Sequence, residues 1–363
     1  MKKDKSEIQA EVAKIIHPLR RSTVAVSMGV GKTLIGLQHM NSNYTDYAKF
    51  LVVAPKRSIL DEWVNEIHKH GLMHLLPHIT FSTYLSLHKQ SRDFDCIYLD
   101  EIQSIKFKHS EYLSKYKGKI LGLTGTAPSN KHSEKFKMID VYCPVVYTYK
   151  TDDAVIDEIL NDYRIVVHSL SLDSAKTLKV EKNGKVWFTS EKATYDYWTG
   201  RVDSAVGKKE QQIMSVMRMR ALMEFPSKDK LAKKLLDSSI NKIILFTNTQ
   251  KQADSFGIPS YHSKNPKSEE NLEKFKRYGI QKLAAVQQLS EGVNITGLKE
   301  AIIMHSFSGN SPKSQQKLGR CLRLSIDQVA TINILMYENT IDEYWVKSCL
   351  KPFDQTKITT INH

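Results

Sequence analysis

Through the first half of the chain, short apolar runs alternate with amphipathic stretches. Thr23 to Val26, Phe50 to Ala54, Cys96 to Leu99 and Lys119 to Leu123 are brief, aliphatic, and bounded by polar or glycine-containing turns, the pattern of strands buried on both faces. Between them, Asp61 to His70 places Trp63, Val64 and Ile67 on one helix face, with Asp61 and Glu62 at the N-terminal end that favours negative charge. Strand and helix alternating in this way predict an α/β fold with a parallel sheet. A second α/β pattern begins near Tyr163 with RIVVHSL. It resumes at Ile243 to Phe246 and continues through Leu283 to Val286, Ala301 to Met304 and Thr331 to Met336. Inside it, LKVEKNGKVWF alternates apolar and polar residues around Asn183-Gly184, which predicts a β-hairpin, and helical sequence follows from about Glu191 to Ser238. The expected organisation is a first domain over 1–147, a second over 148–345 decorated by a hairpin-plus-helices insertion at 172–240, and a tail over 346–363.

Length agrees, since 363 residues suffice for two domains at roughly 150 residues each. Hydrophobic and charged contents of 41% and 25% exclude a disordered or fibrous chain. No long apolar run and no signal-peptide core are present, so a cytoplasmic protein with no membrane partner is expected. Cys96, Cys143, Cys321 and Cys349 form no CxxC pair, which argues against a zinc ribbon or redox couple and for reduced thiols. The formal charge of +14 points to a polyanionic partner such as nucleic acid; plain solubility is the alternative.

Candidate chemistry sits at the strand ends. The strand ending at Val26 runs into SMGVGKT, where Met28, Gly29, Val30 and Gly31 precede Lys32 and Thr33 and a helix begins. Backbone N–H groups of such a loop wrap a phosphate chain, the lysine neutralises β- and γ-phosphates, and the threonine hydroxyl ligates Mg²⁺. The common pattern GxxxxGK[ST] has glycine where Val26 stands, so the match is incomplete. The strand Cys96 to Leu99 delivers Asp100 and Glu101 at its C-terminal end, where ligands bind in open α/β sheets. Asp100 is expected to hold Mg²⁺ and Glu101 to polarise the water that attacks the γ-phosphate. Farther on, the spacing of Arg320 and Arg323 puts two guanidiniums on one helix face.

GVGKT, LDEIQ, LTGTAPSN and QKLGRCLR occur in the order and rough spacing of the superfamily 2 helicase motifs, and the chain resembles that family almost end to end. The resemblance implies two tandem RecA-like domains that hydrolyse ATP in the cleft between them and track along nucleic acid. GVGKT is then motif I, VVAPKRSILDEW motif Ia, Asp100 to Gln103 motif II and Leu123 to Pro128 motif III, all in the first domain. ILFTN, SEGVNITG and the set Gln316, Gly319, Arg320 and Arg323 become motifs IV, V and VI of the second. In these terms Gln316 contacts the γ-phosphate, and the paired arginines neutralise charge developing on its oxygens. Thr124, Gly125, Thr126, Glu291, Gly292 and Asn294 couple nucleotide state to domain geometry. Lys56, Arg57, Ser82, Thr83 and Thr247 are the candidate nucleic-acid contacts, and Gln9 stands about where relatives carry an adenine-reading glutamine.

Departures bear on the branch. Ile102-Gln103 is neither Ala-Asp nor Ala-His, and GVN in motif V, like FTSEKATYDYW, resembles Swi/Snf-type translocases and small phage-type helicases. That favours DNA over RNA and extends the expectation to a phage-encoded protein of a bacterial cell, acting as a monomer. An RNA helicase, an ATP-gated nucleic-acid clamp or annealing protein, and an unrelated phosphate-loop ATPase remain the alternatives. His70, His74 and His78 recur at helical spacing, but Gly71 and Pro77 interrupt the helix and no further ligand completes a metal site. Tyr195, Tyr197 and Trp198 offer either core packing or base stacking.

Overall fold

The apolar runs of the first half fold into a six-stranded, all-parallel sheet of order β3-β2-β4-β5-β1-β6. The structure, a computed structural model, describes residues 2–27, 29–128, 131–182, 184–286, 295, 297–304, 328–351 and 353–363. The chain divides into two compact units, residues up to 162 and nearly all of those from 163 onward.

The first unit runs α1 (Lys5–Ile16), β1 (Arg21–Val26), α2 (Lys32–Ser42), β2 (Phe50–Ala54), α3 (Arg57–Lys69), β3 (Ile79–Thr83) and β4 (Cys96–Asp100). It continues with α4 (Ser110–Lys115), β5 (Lys119–Thr124), α5 (Glu134–Tyr142), β6 (Val145–Tyr149) and α6 (Thr151–Ile156). Strands β2 and β4 are buried at every position, as near-continuous apolar runs require when helices cover both faces. Helix α1 starts at a capping box in which Asp4 accepts from the Glu7 N–H and Glu7 accepts from the Asp4 N–H. Its buried face carries Ile8, Gln9, Val12 and Ile16. The domain boundary expected at 147/148 falls inside β6, which pairs with β1. The unit then runs on because Asp157 accepts from the Lys3 N–H and the Tyr149 hydroxyl.

The second unit holds a seven-stranded parallel sheet of order β11-β12-β10-β13-β14-β7-β15. Its elements are β7 (Tyr163–Leu170), β8 (Leu178–Lys182), β9 (Lys185–Thr189), α7 (Glu191–Asp203), α8 (Lys208–Glu224), α9 (Pro226–Ser238), β10 (Ile243–Thr247), α10 (Gln250–Ser255), β11 (Ser260–Tyr261) and α11 (Ser268–Lys276). Then come β12 (Lys282–Val286), β13 (Glu300–Ile303), β14 (Ala330–Tyr337), α12 (Ile341–Leu350) and β15 (Ile358–Asn362). β8 and β9 form a separate antiparallel ribbon followed by three helices. Far from being a tail, the end of the chain completes α12 and adds β15 as an edge strand beside β7, its register running from Ile358 opposite Ile165 to Asn362 opposite Ser169. No described helix is long and apolar enough to cross a membrane.

Candidate active site

Parallel strands deliver their following loops to one edge of the sheet, so the loops after β1 and β4 share the C-terminal edge of the first unit. After β1 the chain turns through Gly29 and Gly31, both at φ near +95° (+93° and +95°), a region L side chains rarely adopt. A Cβ on Gly31 would stand 2.9 Å from the Gln9 amide nitrogen, and one on Gly29 would stand 2.8 Å from Leu160. The loop is therefore glycine-lined for both conformation and space. Gly31 is the N-cap of α2 and brings no side-chain cap, and a helix N-terminus of this kind favours negative charge. Val30 is buried, Thr33 lies in the first turn of α2, and Met28 lies outside the described residues.

Lys32 Nζ lies 2.9 Å from Glu101 Oε1, and the two side chains keep 15% and 19% of their surface exposed. Glu101 itself is left-handed at φ +47°, a strained position for a side-chain-bearing residue. Asp100 is buried at the end of β4. Its Oδ2 accepts from the Trp63 indole N–H at 2.8 Å and its Oδ1 from the Glu101 N–H at 2.8 Å. Burial first, and then the Glu101 charge, raise the Asp100 carboxyl above the ordinary carboxylate range, with Lys32 and the Trp63 bond opposing. A divalent cation would reverse that shift, and a donor set of carboxylate plus threonine hydroxyl is oxygen-only, which suits Mg²⁺.

Two glutamines and a tryptophan complete the geometry; the sequence marks them only as a candidate adenine reader, the end of motif II and a helix-face residue. Gln9 donates from Nε2 to the Val30 carbonyl at 2.7 Å, so α1 is tied to the phosphate-type loop. Gln103 donates to Glu101 Oε2 and accepts from Thr124 Oγ1 at 2.7 Å, while the Thr126 N–H donates to Thr124 Oγ1 at 3.1 Å. The strand-end acid is thereby wired to the Thr124-Gly125-Thr126 turn after β5. Trp63 lies over Gly36 of α2, where a Cβ would come within 2.5 Å of the indole. Only a glycine there lets α3 bring its tryptophan to Asp100.

The remaining candidates are dispersed. Lys56 and Arg57 are exposed at the end of β2, and Thr83 is half-buried at the end of β3, opposite Ala54 in register. Ser82 and Thr247 are buried, so their side chains form wall rather than surface. The second unit has an open cavity of about 510 Å³ lined by Gln250, Lys251, Asp254, His262, Lys264 and Asn265, which sequence reading did not single out. Glu291, Gly292, Asn294, Gln316, Arg320 and Arg323 lie outside the described residues. His70 pairs with Glu66, His74 with Asn41 and His78 with the Ala48 carbonyl, and no group of metal-ligating His, Cys, Asp or Glu exists among the described residues. Tyr195 is a core residue whose hydroxyl accepts from the Ile341 N–H, whereas Tyr197 is exposed.

Comparison with known proteins bears on the two domains and their fold. The family model for the res subunit of type III restriction enzymes matches residues 2–129, and that for the helicase conserved C-terminal domain matches residues 227–325. The DNA 3'-5' translocase XPB2 of Sulfurisphaera tokodaii is 22% identical over 92% of this chain and 82% of its own length. Among solved structures, the Hef helicase domain of Pyrococcus furiosus is 15% identical with a TM-score of 0.52, covering 96% of this chain and 99% of that one. The DNA-bound Type ISP restriction-modification enzyme LlaBIII is 14% identical with a TM-score of 0.62 over all of this chain, which spans 31% of that larger protein. The two matched domains, the order of the motifs and the twin parallel sheets make the chain a member of the superfamily 2 helicases, and with that an ATP-hydrolysing enzyme of the helicase class.

Proposed function

We propose that the chain is an ATP-dependent DNA translocase whose hydrolysis is stimulated by DNA. The observation that carries the reading is the Lys32–Glu101 contact of 2.9 Å at the mouth of a glycine-lined loop, with Asp100 buried alongside. With ATP bound, Lys32 exchanges Glu101 for the phosphate chain, the loop N–H groups hold the phosphate oxygens, and the released Glu101 carboxylate accepts a proton from the attacking water. Thr33 and Asp100 would hold Mg²⁺, which neutralises charge on the phosphates. Arg320 and Arg323 supply further positive charge to the γ-phosphoryl group, a contribution of about 10³ to 10⁵ in rate in related systems. Gln9 is assigned to the adenine edge.

Nucleic acid is engaged through its backbone. Lys56 and Arg57 on the first unit, and Lys251 and Lys264 around the second unit's cavity, are the phosphate contacts, and such contacts carry no sequence preference. DNA is favoured over RNA by the similarity to the DNA 3'-5' translocase XPB2 and by the GVN of motif V. The test is ATP turnover of the purified chain with duplex DNA, single-stranded DNA, RNA or no nucleic acid. Stimulation by DNA well above that by RNA is expected; preferential stimulation by RNA would overturn the substrate assignment.

A further inference from the structure

The β8–β9 ribbon carries a surface that packing does not account for. Val186, Trp187 and Phe188 are consecutive and remain 50%, 44% and 58% exposed. The register sets Phe188 against Lys179 and Val186 against Glu181 on one face, with Trp187 against Val180 and Thr189 against Leu178 on the other. The base of the ribbon is anchored through Leu178, which packs on the second unit's core. Solvent-facing positions of a sheet ordinarily carry polar residues, so successive bulky apolar side chains there mark a contact surface.

Charge identifies the occupant. From 174 to 190 the chain has four lysines, at 176, 179, 182 and 185, against the single acid Glu181. Lys176, Lys179 and Lys185 are exposed. Aromatic rings framed by ammonium groups match an unpaired nucleic-acid strand, whose bases offer π faces and whose phosphates offer charge. A duplex would satisfy the lysines and leave the rings in water, because its base faces are already stacked. We propose that this ribbon is a stacking platform for an unpaired stretch of nucleic acid. Trp187 and Phe188 each take a base on opposite faces of the ribbon, and Lys179 and Lys185 take phosphates. The proposal rests on the reading of the chain as a nucleic-acid-stimulated ATPase and adds which strand form this part of the second unit grips.

The test uses the full chain and the anisotropy of a labelled single-stranded deoxyoligonucleotide and of its duplex. Trp187→Ala with Phe188→Ala should weaken single-strand binding about tenfold or more, the worth of a stacked base, while duplex affinity stays within about twofold. Lys179→Ala with Lys185→Ala should lower the salt dependence of single-strand binding by a slope of about one to two. Trp187→Phe should retain binding yet lose most of the quenching of tryptophan fluorescence by single strands, a readout that a merely structural role would not move. Unchanged single-strand affinity in the double aromatic variant, or an equal loss for both strand forms, would overturn the platform. A wild-type chain that binds neither form would overturn the underlying reading as well, whereas normal wild-type binding with an unaffected variant would remove the platform alone.

Discussion

Among the described residues, each unit holds one lysine–carboxylate pair with both side chains largely withdrawn from solvent, and the two pairs are built differently. Lys228 and Asp342 are 1% and 0% exposed. The Asp342 carboxylate also accepts from the Tyr337 N–H at 3.0 Å, and Lys228 lies 4.7 Å from the Tyr337 ring centroid, so α9, β14 and α12 are locked to one another. Lys32 and Glu101 sit at a strand edge with about a fifth or less of their surface exposed, beside a loop of left-handed glycines. A buried pair has no cheap alternative partner, because either charge left alone would be uncompensated in low dielectric. A half-open pair can exchange its partner for a ligand. The same two functional groups thus hold a fold in one place and, in the proposed function, meet a substrate in the other.

Four experiments sharpen or break this contrast. The largest effect is expected at the open pair: Glu101→Gln or Lys32→Ala should reduce ATP turnover by at least about a hundredfold, within a range reaching about 10⁴ for loss of a positioned base. Urea midpoints should shift little. Wild-type turnover in either variant would remove the assignment of these residues. At the buried pair, Lys228→Met should cost about 3–5 kcal/mol of stability in urea unfolding. Turnover per folded molecule should stay near normal, and adding Asp342→Leu should restore part of the loss. A stability change under about 1 kcal/mol would show that burial is not what makes that pair matter.

The third experiment concerns a buried base that is neutral rather than paired. His39 is buried beside the Tyr98 hydroxyl at 3.0 Å, and burial first, then the Lys119 and His17 charges, lower its pKa to about 4. The unfolded chain binds this proton at its ordinary pKa, so the stabilisation is fully present above about pH 6.5 and is lost as pH falls toward 4. The linkage is on the order of 3 kcal/mol. His39→Gln should flatten the decline in unfolding free energy between pH 7 and pH 4.5; an unchanged slope would assign the acid limb to other groups. The smallest effect is expected for Gly36→Ala, whose Cβ would stand 2.5 Å from Trp63. Overpacking of about 1–3 kcal/mol should move the indole off Asp100 and raise the Mg²⁺ concentration needed for half-maximal turnover. A magnesium dependence identical to wild type would mean that Trp63 does not position the aspartate.

The contrast also shows what sequence can carry. Central strands were legible because both faces are buried and the apolar run is continuous: the run Phe50 to Ala54 is strand β2 residue for residue, and Asp100 closes β4 where the strand was expected to deliver it. The strands missed were edges or nearly so. Ile79–Thr83 and Val145–Tyr149 bury one residue each, Ile358–Asn362 buries none, and Ser260–Tyr261 is two residues long, so none buries enough side chains to print a pattern. The glycine loop and the acid pair stand out in the sequence because phosphate and magnesium chemistry demands particular residues in short windows. Gln103 and Trp63 were not, since each acts through one long-range hydrogen bond, to Thr124 and to Asp100, that no local spacing encodes. Gln9 stood in a polar stretch, and only its place on the buried face of α1 brings it to the Val30 carbonyl.

The central claim is that the glycine loop and the Lys32–Glu101 pair form an ATP-hydrolysing site driven by nucleic acid. Its most direct test is steady-state ATP turnover of the purified full chain in Mg²⁺, with and without duplex DNA, compared with Glu101→Gln under the same conditions. The account predicts DNA-stimulated turnover in the wild type and its near abolition in Glu101→Gln, with DNA binding retained. Equal, DNA-stimulated turnover in the two proteins would contradict it.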